Sequence, residues 1–486
     1  MSDRSLAVKC INGTFVGTKT DNIISFKGIP FVAKQPVGEY RWKAPVEYAP
    51  DNGVYEAFSF AKLAVQDKSI SDHQGEDCLY LNVWKTEGEA EKRPVMVWVH
   101  GGAFAAGGTG IELFDCTALA KENPDVIFVT VAYRLGALGF LHLSHLPDGK
   151  DYPDAQNLGL LDQNMAIKWV HENIAAFGGD PANVTIWGES AGAASVTMQP
   201  LIPGSQKYFQ KVIAQSGAPC QTNSLEESIA TTNDLMKALG CKTVADLMKL
   251  DARTLIDTAA NTVALRMFPV RDGRILPLDP WKAYESGVAK DITFLQGCNK
   301  DEMNCFVADW TVEGFKAWAA ERKTHKYAQL LTAEERAKLE SFCKEGAVED
   351  WEPDSRLFGH SWFIEGAIKM SECQTMGGGK SYTYYYRVES ADPIRKSAHF
   401  EEVPIVFNHR EMIVEGPYDE AFCMAMRGMW IQFARTGVPA PNWPLYDLKD
   451  KWVMVLDEHD IHPAKEADVK IVDWERTTFL TKYYML

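Results

Sequence analysis

Residues 183–192, NVTIWGESAG, join a short apolar, β-branched run to a G-x-S-x-G motif. The run from Asn183 to Trp187 predicts a buried strand, and the sequence from Ala191 onward predicts a helix directly after it. Glycines at positions 188 and 192 permit a sharp strand-to-helix turn, which lifts a serine hydroxyl above the edge of a sheet. The pattern therefore predicts that Ser190 is a nucleophile. An ordinary glycine-rich turn is the alternative that the motif alone leaves open.

Strand-like runs alternate with helical sequence on both sides of this motif. Before it, strands are predicted at residues 93–100 (RPVMVWVH) and 126–133 (VIFVTVAY), and a helix at residues 157–177. After it, strands are predicted at residues 212–215, 292–296 and 382–388. This alternation predicts an α/β fold with a large central, mostly parallel, twisted sheet flanked by helices.

Two regions depart from the alternation. Residues 8–19 and 23–28 predict an antiparallel meander at the N-terminus, and the region of about 220–380 is more helical than the rest. We expect this helical region to contain insertion segments that cover the active site. No linker, repeat or low-complexity tract interrupts the chain, so residues 1–486 are expected to form a single domain.

A glycine-containing loop follows the first predicted buried strand. The loop begins His100-Gly101-Gly102-Ala103-Phe104. Acyl transfer needs backbone N–H donors for the oxygen that becomes negatively charged, and small residues let the backbone approach that oxygen. The amides of Gly102, Ala103 and Ala191 are the predicted oxyanion hole. A phosphate-binding loop is disfavoured because the nearby G-G-T-G run lacks the G-K-[ST] ending.

A serine nucleophile of this kind is followed along the chain by an acid and then by a histidine. The histidines after Ser190 are His325, His360, His399, His409, His459 and His462. His399 follows a predicted strand at the expected side of the sheet, although the pattern does not exclude His360 or His409. The acid is expected after the strand that ends near Gly297, where either Asp301 or Glu302 would serve.

Composition and charge exclude several classes of function. The formal net charge is −16, and no basic stripe is present, so nucleic acid is not an expected partner. No apolar run is long enough to span a membrane, and the first residues lack a signal-peptide pattern. The ten cysteines contain no C-x-x-C pair, so neither a metal site nor a cofactor is expected. We therefore expect a cytoplasmic monomer or small homo-oligomer with reduced thiols.

Several ordered motifs together resemble the type-B carboxylesterase family, which also contains the cholinesterases. The likeness covers nearly the whole chain and is greatest to bacterial para-nitrobenzyl-esterase-like carboxylesterases. The motifs are FKGIPF (26–31), RWKAP (41–45), EDCLYLNV (76–83), YRLG (133–136), NLGLLDQ (157–163), AFGGDPANVT (176–185) before the G-x-S-x-G motif, and FARTG (433–437) with Trp443-Pro444.

This resemblance implies an α/β-hydrolase fold and the hydrolysis of a small-molecule ester through a Ser-His-Glu triad and an acyl-enzyme. It implies that Glu302 is the acid and His399 the base. It also places Glu189, Ser216 and Glu402 in a buried polar network behind the histidine. No cofactor is implied.

Some residues depart from the family pattern. Cys78 lacks the upstream cysteine with which relatives form a disulfide, and Lys68 stands where cholinesterases carry a choline-binding tryptophan. Met303 replaces the glycine usual after the acid.

Catalytically inactive binding modules occur in the family, but they typically lose a triad residue. Amidase, lipase and lactonase variants of the same triad remain alternatives. Candidate pocket walls, each equally consistent with ordinary core, are Phe104, Phe268, Phe306, His360 and Phe363.

Overall fold

The computed structural model describes residues 4–88, 92–409, 412, 419–473 and 475–482. The chain divides into two compact units. Unit 1 is formed by Met1–Lys211 and Thr222–Asp279, and unit 2 by Val212–Gln221 and Pro280–Leu486.

Unit 1 holds two groups of paired strands. The strands are β1 (Ala7–Cys10), β2 (Asn12–Val16), β3 (Thr18–Thr20), β4 (Ile23–Pro30), β5 (Asp51–Glu56), β6 (Tyr80–Thr86), β7 (Arg93–Val99), β8 (Ile127–Val131) and β9 (Gly179–Glu189). Strands β1, β2 and β5 form a small sheet, and the others are ordered β3-β4-β6-β8-β7-β9. β7 pairs in parallel with β8 and β9, whereas β3, β4 and β6 pair antiparallel with their neighbours.

Helices surround the strands of unit 1. They are α1 (Thr117–Glu122), α2 (Gly136–Gly139), α3 (Leu158–Asn173), α4 (Ala191–Met198), α5 (Leu225–Leu239), α6 (Val244–Leu247) and α7 (Ala252–Thr262). Every residue of β8 is buried, and the rings of Trp98 and Trp187 on neighbouring strands pack 4.5 Å apart. A strand covered on both faces must be apolar on both faces, which explains the continuous apolar runs of the sequence.

A buried ion pair connects two of the sequence motifs within unit 1. Arg134, in the loop after β8, donates from Nη2 to Asp162 Oδ1 at 2.6 Å and from Nε to Asp162 Oδ2 at 2.7 Å. Burial raises the pKa of the Asp162 carboxyl, and the charge of Arg134 opposes that rise. The pair holds α3 against the end of β8, close to the end of the sheet where β7 also ends.

Unit 2 contains the remaining strands. They are β10, which begins one residue before the unit (Lys211–Gln215), β11 (Thr293–Asn299), β12 (Lys380–Tyr386), β13 (Trp452–Asp457) and β14 (Asp460–Lys465). They lie in the order β10-β11-β12-β13-β14. β12 pairs in parallel with β11 and β13, and β14 pairs antiparallel with β13.

Unit 2 is rich in helices. They are α8 (Pro280–Glu285), α9 (Asn304–Trp310), α10 (Val312–Arg322), α11 (Ala328–Leu330), α12 (Ala333–Lys344), α13 (Glu352–Gly359), α14 (Glu365–Met376), α15 (Val403–Phe407), α16 (Glu420–Thr436) and α17 (Glu466–Val469), with π-helical turns at Lys323–Tyr327 and His360–Ile364. α12 begins with a capping box, in which Thr332 Oγ1 accepts the Glu335 amide and the Glu335 carboxylate accepts the Thr332 amide. Most of the predicted insertion region is helical, with β11 inside it.

The predicted α/β fold, a large sheet flanked by helices, is confirmed, with parallel pairing concentrated around β7 and β12. The N-terminal meander is present as two antiparallel hairpins, β1–β2 and β3–β4, because a turn at Ile11 and a break at Gly17 divide residues 8–19. Strands β5, β6, β13 and β14 were not predicted. Among the described residues, no helix combines the length and the apolar composition that crossing a bilayer requires.

Candidate active site

Ser190 occupies the turn between β9 and α4. Its φ of 57° and ψ of −125° lie where a residue with a Cβ is rarely found. The amide of Ala194 donates to the Ser190 carbonyl at 2.9 Å, which is the first hydrogen bond of the helix. The strained backbone is therefore fixed by the structure on both sides, with the serine at the carboxyl end of a central strand.

The two glycines of the motif pack against the end of β7. A Cβ on Gly188 would lie 2.6 Å from the Val99 carbonyl oxygen, and a Cβ on Gly192 would overlap that same oxygen. Real Cβ atoms do not approach a backbone atom so closely, and backbone cannot move aside as a side chain can. The close contact fixes the turn at residue 190 to the strand that precedes the glycine-containing loop.

We expect Gly192→Ala to lower the free energy of unfolding by about 3 kcal/mol, because the added methyl group overlaps the Val99 carbonyl. Gly428→Ala is the matched control, since Gly428 lies in α16 and a Cβ there meets no atom within 4 Å. The control should raise stability by about 1 kcal/mol through helix propensity. Urea denaturation measures both changes. Equal effects of the two substitutions would contradict the close packing of Gly192 against the Val99 carbonyl.

The loop that follows β7, residues 100–107, carries two of the predicted oxyanion donors. It turns back on itself, since the amides of Ala105 and Ala106 both donate to the Gly102 carbonyl at 2.9 Å. Gly102 and Ala103 have φ values of 102° and 54°. Among the residues that the structure describes, none accepts a hydrogen bond from the amide of Gly102 or Ala103. We call residues 100–107 the β7 loop.

Ala191, the third predicted donor, is the first residue of α4. The first N–H groups of a helix have no intrahelical acceptor, and the helix dipole makes this end favourable for negative charge. The β7 loop lies against the same turn, because a Cβ on Gly101 would be 3.1 Å from the Ser190 Cβ and 2.7 Å from the Glu189 carbonyl oxygen. Unit 1 thus brings the predicted nucleophile and the three predicted donors into one small region.

His100 anchors the start of the β7 loop. The residue is 1% exposed, its Nδ1 donates to the Gly101 carbonyl at 2.9 Å, and the Tyr133 hydroxyl donates to the His100 carbonyl at 2.8 Å. Burial lowers the pKa of this imidazole from 6.5 to about 4. The side chain therefore stays neutral in the folded protein at neutral pH.

This burial makes stability depend on pH. The unfolded chain protonates His100 near pH 6.5 and the folded protein only near pH 4, so stability falls as pH is lowered through this window. The contribution is about 3 kcal/mol. We expect His100→Asn, which keeps a donor for the Gly101 carbonyl but does not titrate, to lose correspondingly less stability between pH 7 and pH 4. Urea denaturation between pH 7 and pH 4 measures this difference in stability. His459→Asn is the control, because His459 is exposed. Parallel curves for wild type and His100→Asn would refute the assignment.

Unit 2 brings Glu302 and His399 together. His399 Nδ1 lies 2.6 Å from Glu302 Oε2, and both side chains are almost completely buried. The other carboxylate oxygen, Oε1, accepts the Asn299 amide at 2.8 Å, and the His399 amide donates to the Glu302 carbonyl at 3.1 Å. A carboxylate that accepts from Nδ1–H leaves the neutral imidazole with its lone pair on Nε2.

The other acids and histidines that the sequence left open lie elsewhere. Asp301 contacts the backbone of Ser397 rather than a histidine, and burial raises the pKa of its carboxyl. His360 pairs with Glu365, from Nδ1 to Oε1 at 3.1 Å. The His409 amide donates to the Pro404 carbonyl, and His459 and His462 are exposed on the loop and strand after β13. The side chain of His325 lies outside the described residues.

A buried polar network supports the loops that carry Glu302 and His399. Glu402 accepts the Gln215 side-chain amide at 3.0 Å through Oε1 and the Asn299 side-chain amide at 2.7 Å through Oε2. Asn299 also donates to the Ala398 carbonyl at 2.7 Å. Asn299 therefore connects three segments, since its backbone amide binds Glu302 and its side chain binds the residue before His399.

The two other residues predicted for this network lie in different surroundings. Ser216 is buried at the end of β10, and its amide donates to the Gly297 carbonyl at 2.9 Å. Its hydroxyl has no hydrogen-bond partner within the part of the chain that the structure describes. Glu189 is buried in unit 1, where one carboxylate oxygen faces Gly101.

Aromatic rings lie against the histidine in unit 2. The Phe363 ring, in the π-helical turn His360–Ile364, is 4.3 Å from the His399 ring between centroids, and the Phe306 ring is 6.1 Å away. In unit 1, Phe104 and Phe268 are buried and pack edge to face at 5.8 Å. Within the described ranges, no group of three or more His, Cys, Asp or Glu side chains is placed to hold a metal ion.

Comparison with known proteins identifies the family. The sequence model of the carboxylesterase family matches residues 4–471. The chain belongs to the carboxylesterase family. The para-nitrobenzyl esterase of Bacillus subtilis (strain 168) is 33% identical over 479 residues, which cover 92% of this chain and 93% of the relative. A solved carboxylesterase from Geobacillus stearothermophilus has a TM-score of 0.85 at 34% identity, covering 96% of this chain and 99% of that one.

The chain is also similar along most of its length to a relative of lower sequence identity. The acetylcholinesterase of Bungarus fasciatus is 29% identical over 517 residues, covering 94% of this chain and 84% of the relative. The resemblance to type-B carboxylesterases, the α/β-hydrolase fold and the serine carboxylesterase activity expected from the sequence are therefore confirmed. All ten cysteines of this carboxylesterase are free thiols.

Sequence reasoning missed part of the site of this carboxylesterase. Asn299 and Gln215 were not singled out, although both hold Glu402. The only signal for Asn299 was its place in the loop directly before the predicted acid. Gln215 ends a predicted buried strand, and a buried amide at such a position indicates a polar partner. The role of His100 in supporting the β7 loop was also missed.

Proposed function

We propose that Ser190, His399 and Glu302 are the catalytic triad of this serine carboxylesterase, with the amides of Gly102, Ala103 and Ala191 as the oxyanion hole. The observation that carries the proposal is the buried 2.6 Å hydrogen bond between Glu302 and His399. It supports Glu302 as the acid and His399 as the base among the alternatives that the sequence left open. It also fixes the tautomer in which Nε2 accepts a proton.

The first step is acylation. His399 Nε2 takes the proton of the Ser190 hydroxyl as Oγ bonds to the ester carbonyl carbon, and Glu302 stabilises the resulting imidazolium. The carbonyl oxygen becomes an oxyanion and accepts hydrogen bonds from the three backbone amides. The intermediate then expels the alcohol, which leaves with the proton from His399, and an acyl-enzyme remains on Ser190.

The second step is deacylation. Water gives a proton to His399 Nε2 while its oxygen attacks the acyl carbon, and the same amides bind the second oxyanion. The bond to Ser190 Oγ then breaks, the proton returns from His399 to the serine, and the carboxylic acid is released. All proton transfers take place on side chains of this chain, so the mechanism uses no cofactor.

The buried network gives Asn299 and Glu402 a supporting role in this proposal. Asn299 holds both the Glu302 carboxylate and the segment before His399, and Glu402 fixes the Asn299 side chain. We propose that Glu189 and Ser216 belong to the same support. We also propose that residues 1–486 act as a single catalytic domain.

The proposed substrate is a small-molecule ester. We further propose that the protein works in the cytoplasm, as a monomer or small homo-oligomer and without nucleic acid or membrane as a partner. Ten free thiols support a reducing compartment, and a net charge of −16 disfavours anionic polymers.

Pre-steady-state hydrolysis of para-nitrophenyl acetate tests the proposal. An acyl-enzyme on Ser190 gives a burst of para-nitrophenolate when deacylation is the slower step, and mass spectrometry of the quenched enzyme then shows one acetyl group on the peptide that contains Ser190. A catalytically inactive binding module gives neither burst nor label. Turnover of para-nitroacetanilide in place of the ester would favour the amidase alternative.

A further inference from the structure

A short segment before the E-D-C motif folds around one buried amide side chain. We call residues 63–75 the Gln66 segment. It closes on itself, since the Leu63 amide donates to the His73 carbonyl at 3.0 Å and the Gly75 amide donates to the Leu63 carbonyl at 2.9 Å. The Gln66 amide donates to Gln74 Oε1 at 2.9 Å. Although most of the segment is near the surface, Gln66 itself is 0% exposed.

The Gln66 side chain binds both polar groups of one residue in the β7 loop. Its Nε2 donates to the Gly107 carbonyl at 2.7 Å, and its Oε1 accepts the Gly107 amide at 2.7 Å. Nε2 also donates to the Ala64 carbonyl at 3.0 Å. A buried side-chain amide with three such bonds is fully oriented, so it holds the Gly107 backbone at one position and one angle.

Gly107 in turn packs on the residues that precede the oxyanion donors. Its φ is 106°, and a Cβ there would overlap His100 Nδ1 and lie 2.8 Å from the Gly101 carbonyl oxygen. The intervening turn is closed by the bonds of Ala105 and Ala106 to the Gly102 carbonyl. The far end of the β7 loop is thus held by Gln66 and its near end by β7, with Gly102 and Ala103 between them.

We propose that Gln66 is a positioning residue for ester hydrolysis: by holding Gly107, it sets the orientation of the Gly102 and Ala103 amides. The inference rests on the oxyanion hole proposed above. The hydrogen bonds of Gln66 then hold a segment that contains no cysteine and therefore no disulfide.

The expected effect is on the transition state rather than on substrate binding. The negative oxygen exists only during acylation and deacylation, so donors that have shifted weaken the transition state and leave the bound ester almost unaffected. Loss of one oxyanion donor lowers kcat by about 10²–10³-fold. A donor that is displaced but still present should lower kcat by a smaller factor. Losing Gln66 also leaves the amide and the carbonyl of the partly buried Gly107 without their side-chain partners, which favours a shift of the loop.

Gln66→Met and Gln74→Met form a matched pair for steady-state kinetics with para-nitrophenyl acetate. Methionine at 66 keeps the length of the side chain but removes all three bonds. We expect kcat to fall by about 10–100-fold while KM changes by less than about threefold. Gln74 holds only its own segment, with Nε2 donating to Asp67 and Ser71 carbonyls. Gln74→Met should lower Tm while leaving kcat within about threefold of wild type.

A tetrahedral inhibitor provides a second measurement. A trifluoromethyl ketone forms an oxyanion on the nucleophile, so its affinity for Gln66→Met should fall by about the same factor as kcat/KM. The affinity of an unreactive amide analogue of the substrate should not change. A general loosening of the protein would weaken both ligands alike and would overturn the inference.

Gln66→Glu keeps the test open if the methionine variant does not fold. The carboxylate repels the Gly107 carbonyl at high pH, whereas the protonated acid donates to it and accepts the Gly107 amide as glutamine does. We expect the ratio of variant to wild-type kcat to rise as pH is lowered.

A ratio that does not depend on pH, or a Gln66→Met variant with wild-type kcat, would overturn the positioning role alone. A wild-type chain that hydrolyses no ester would overturn the proposed function and this inference with it.

Discussion

Ser190→Ala is expected to lower kcat for ester hydrolysis by at least about 10⁴-fold while the protein stays folded and binds substrate analogues normally. The reason is that Ser190 carries the only hydroxyl in the turn between β9 and α4, beside the amides of the proposed oxyanion hole. The backbone strain at φ 57° is the same for alanine as for serine, so stability should change little. Steady-state kinetics with para-nitrophenyl acetate measures the loss, and circular dichroism verifies the fold.

Ser195→Ala is the matched control for this experiment. Ser195 lies in α4, the helix that follows Ser190, and its hydroxyl accepts the Gln163 side-chain amide at 3.0 Å. Its loss therefore removes a buried hydrogen bond and leaves the proposed catalytic residues unchanged. It should reduce stability by about 1–3 kcal/mol and leave kcat within a few fold of wild type. A Ser190→Ala enzyme that retains more than about 1% of kcat would remove the nucleophile from the mechanism.

Glu302→Gln is expected to lower kcat by about 10³–10⁴-fold. The Asn299 amide needs an acceptor where Glu302 Oε1 now lies, so the new amide places its oxygen there and its NH₂ group on His399. Nδ1 must then accept, which moves the imidazole proton to Nε2. A histidine protonated at Nε2 cannot take the proton of Ser190. The substitution thus changes the tautomer with almost no change in shape.

Asp301→Asn is the control for the acid. Asp301 is the neighbouring carboxylate and contacts the backbone of Ser397, so its neutralisation should keep kcat within a few fold of wild type. The ¹⁵N chemical shifts of the His399 ring nitrogens report the tautomer directly in wild type and in Glu302→Gln. Equal loss of kcat in the two variants, or an unchanged tautomer in Glu302→Gln, would contradict the proposed role of Glu302.

The parts of the fold that the sequence predicted are those encoded locally. The strand, the turn and the helix around Ser190 depend on neighbouring residues, because glycines at 188 and 192 are required by contacts at the turn itself. The buried strands β7 and β8 were recognised because a strand covered on both faces must be continuously apolar. β14 was missed because it includes Pro463 and two charged residues, Asp460 and Lys465, and so carries no such run. β13 was overlooked although its residues 453–456 are buried and apolar.

The pairing of Glu302 with His399, the proposed acid and base, depends on contacts that are distant in sequence. Asp301 and Glu302 are adjacent and chemically alike, and only the direction of the loop after β11 decides which of them meets His399, 97 residues later. The family resemblance indicated Glu302, whereas residue patterns alone left the choice open. Asn299, Gln215 and Glu402 form their network across separations of more than one hundred residues, which no local pattern encodes.

The conformation of Ser190 has an evolutionary consequence. Glycine would adopt this backbone geometry without strain, so the serine is retained at the expense of stability. If a descendant gene were released from selection for ester cleavage, drift at codon 190 would favour glycine as a stabilising replacement. A serine kept at this position therefore indicates continued selection for ester hydrolysis. Its replacement by glycine would be an early sign of a lineage in which the fold serves another function.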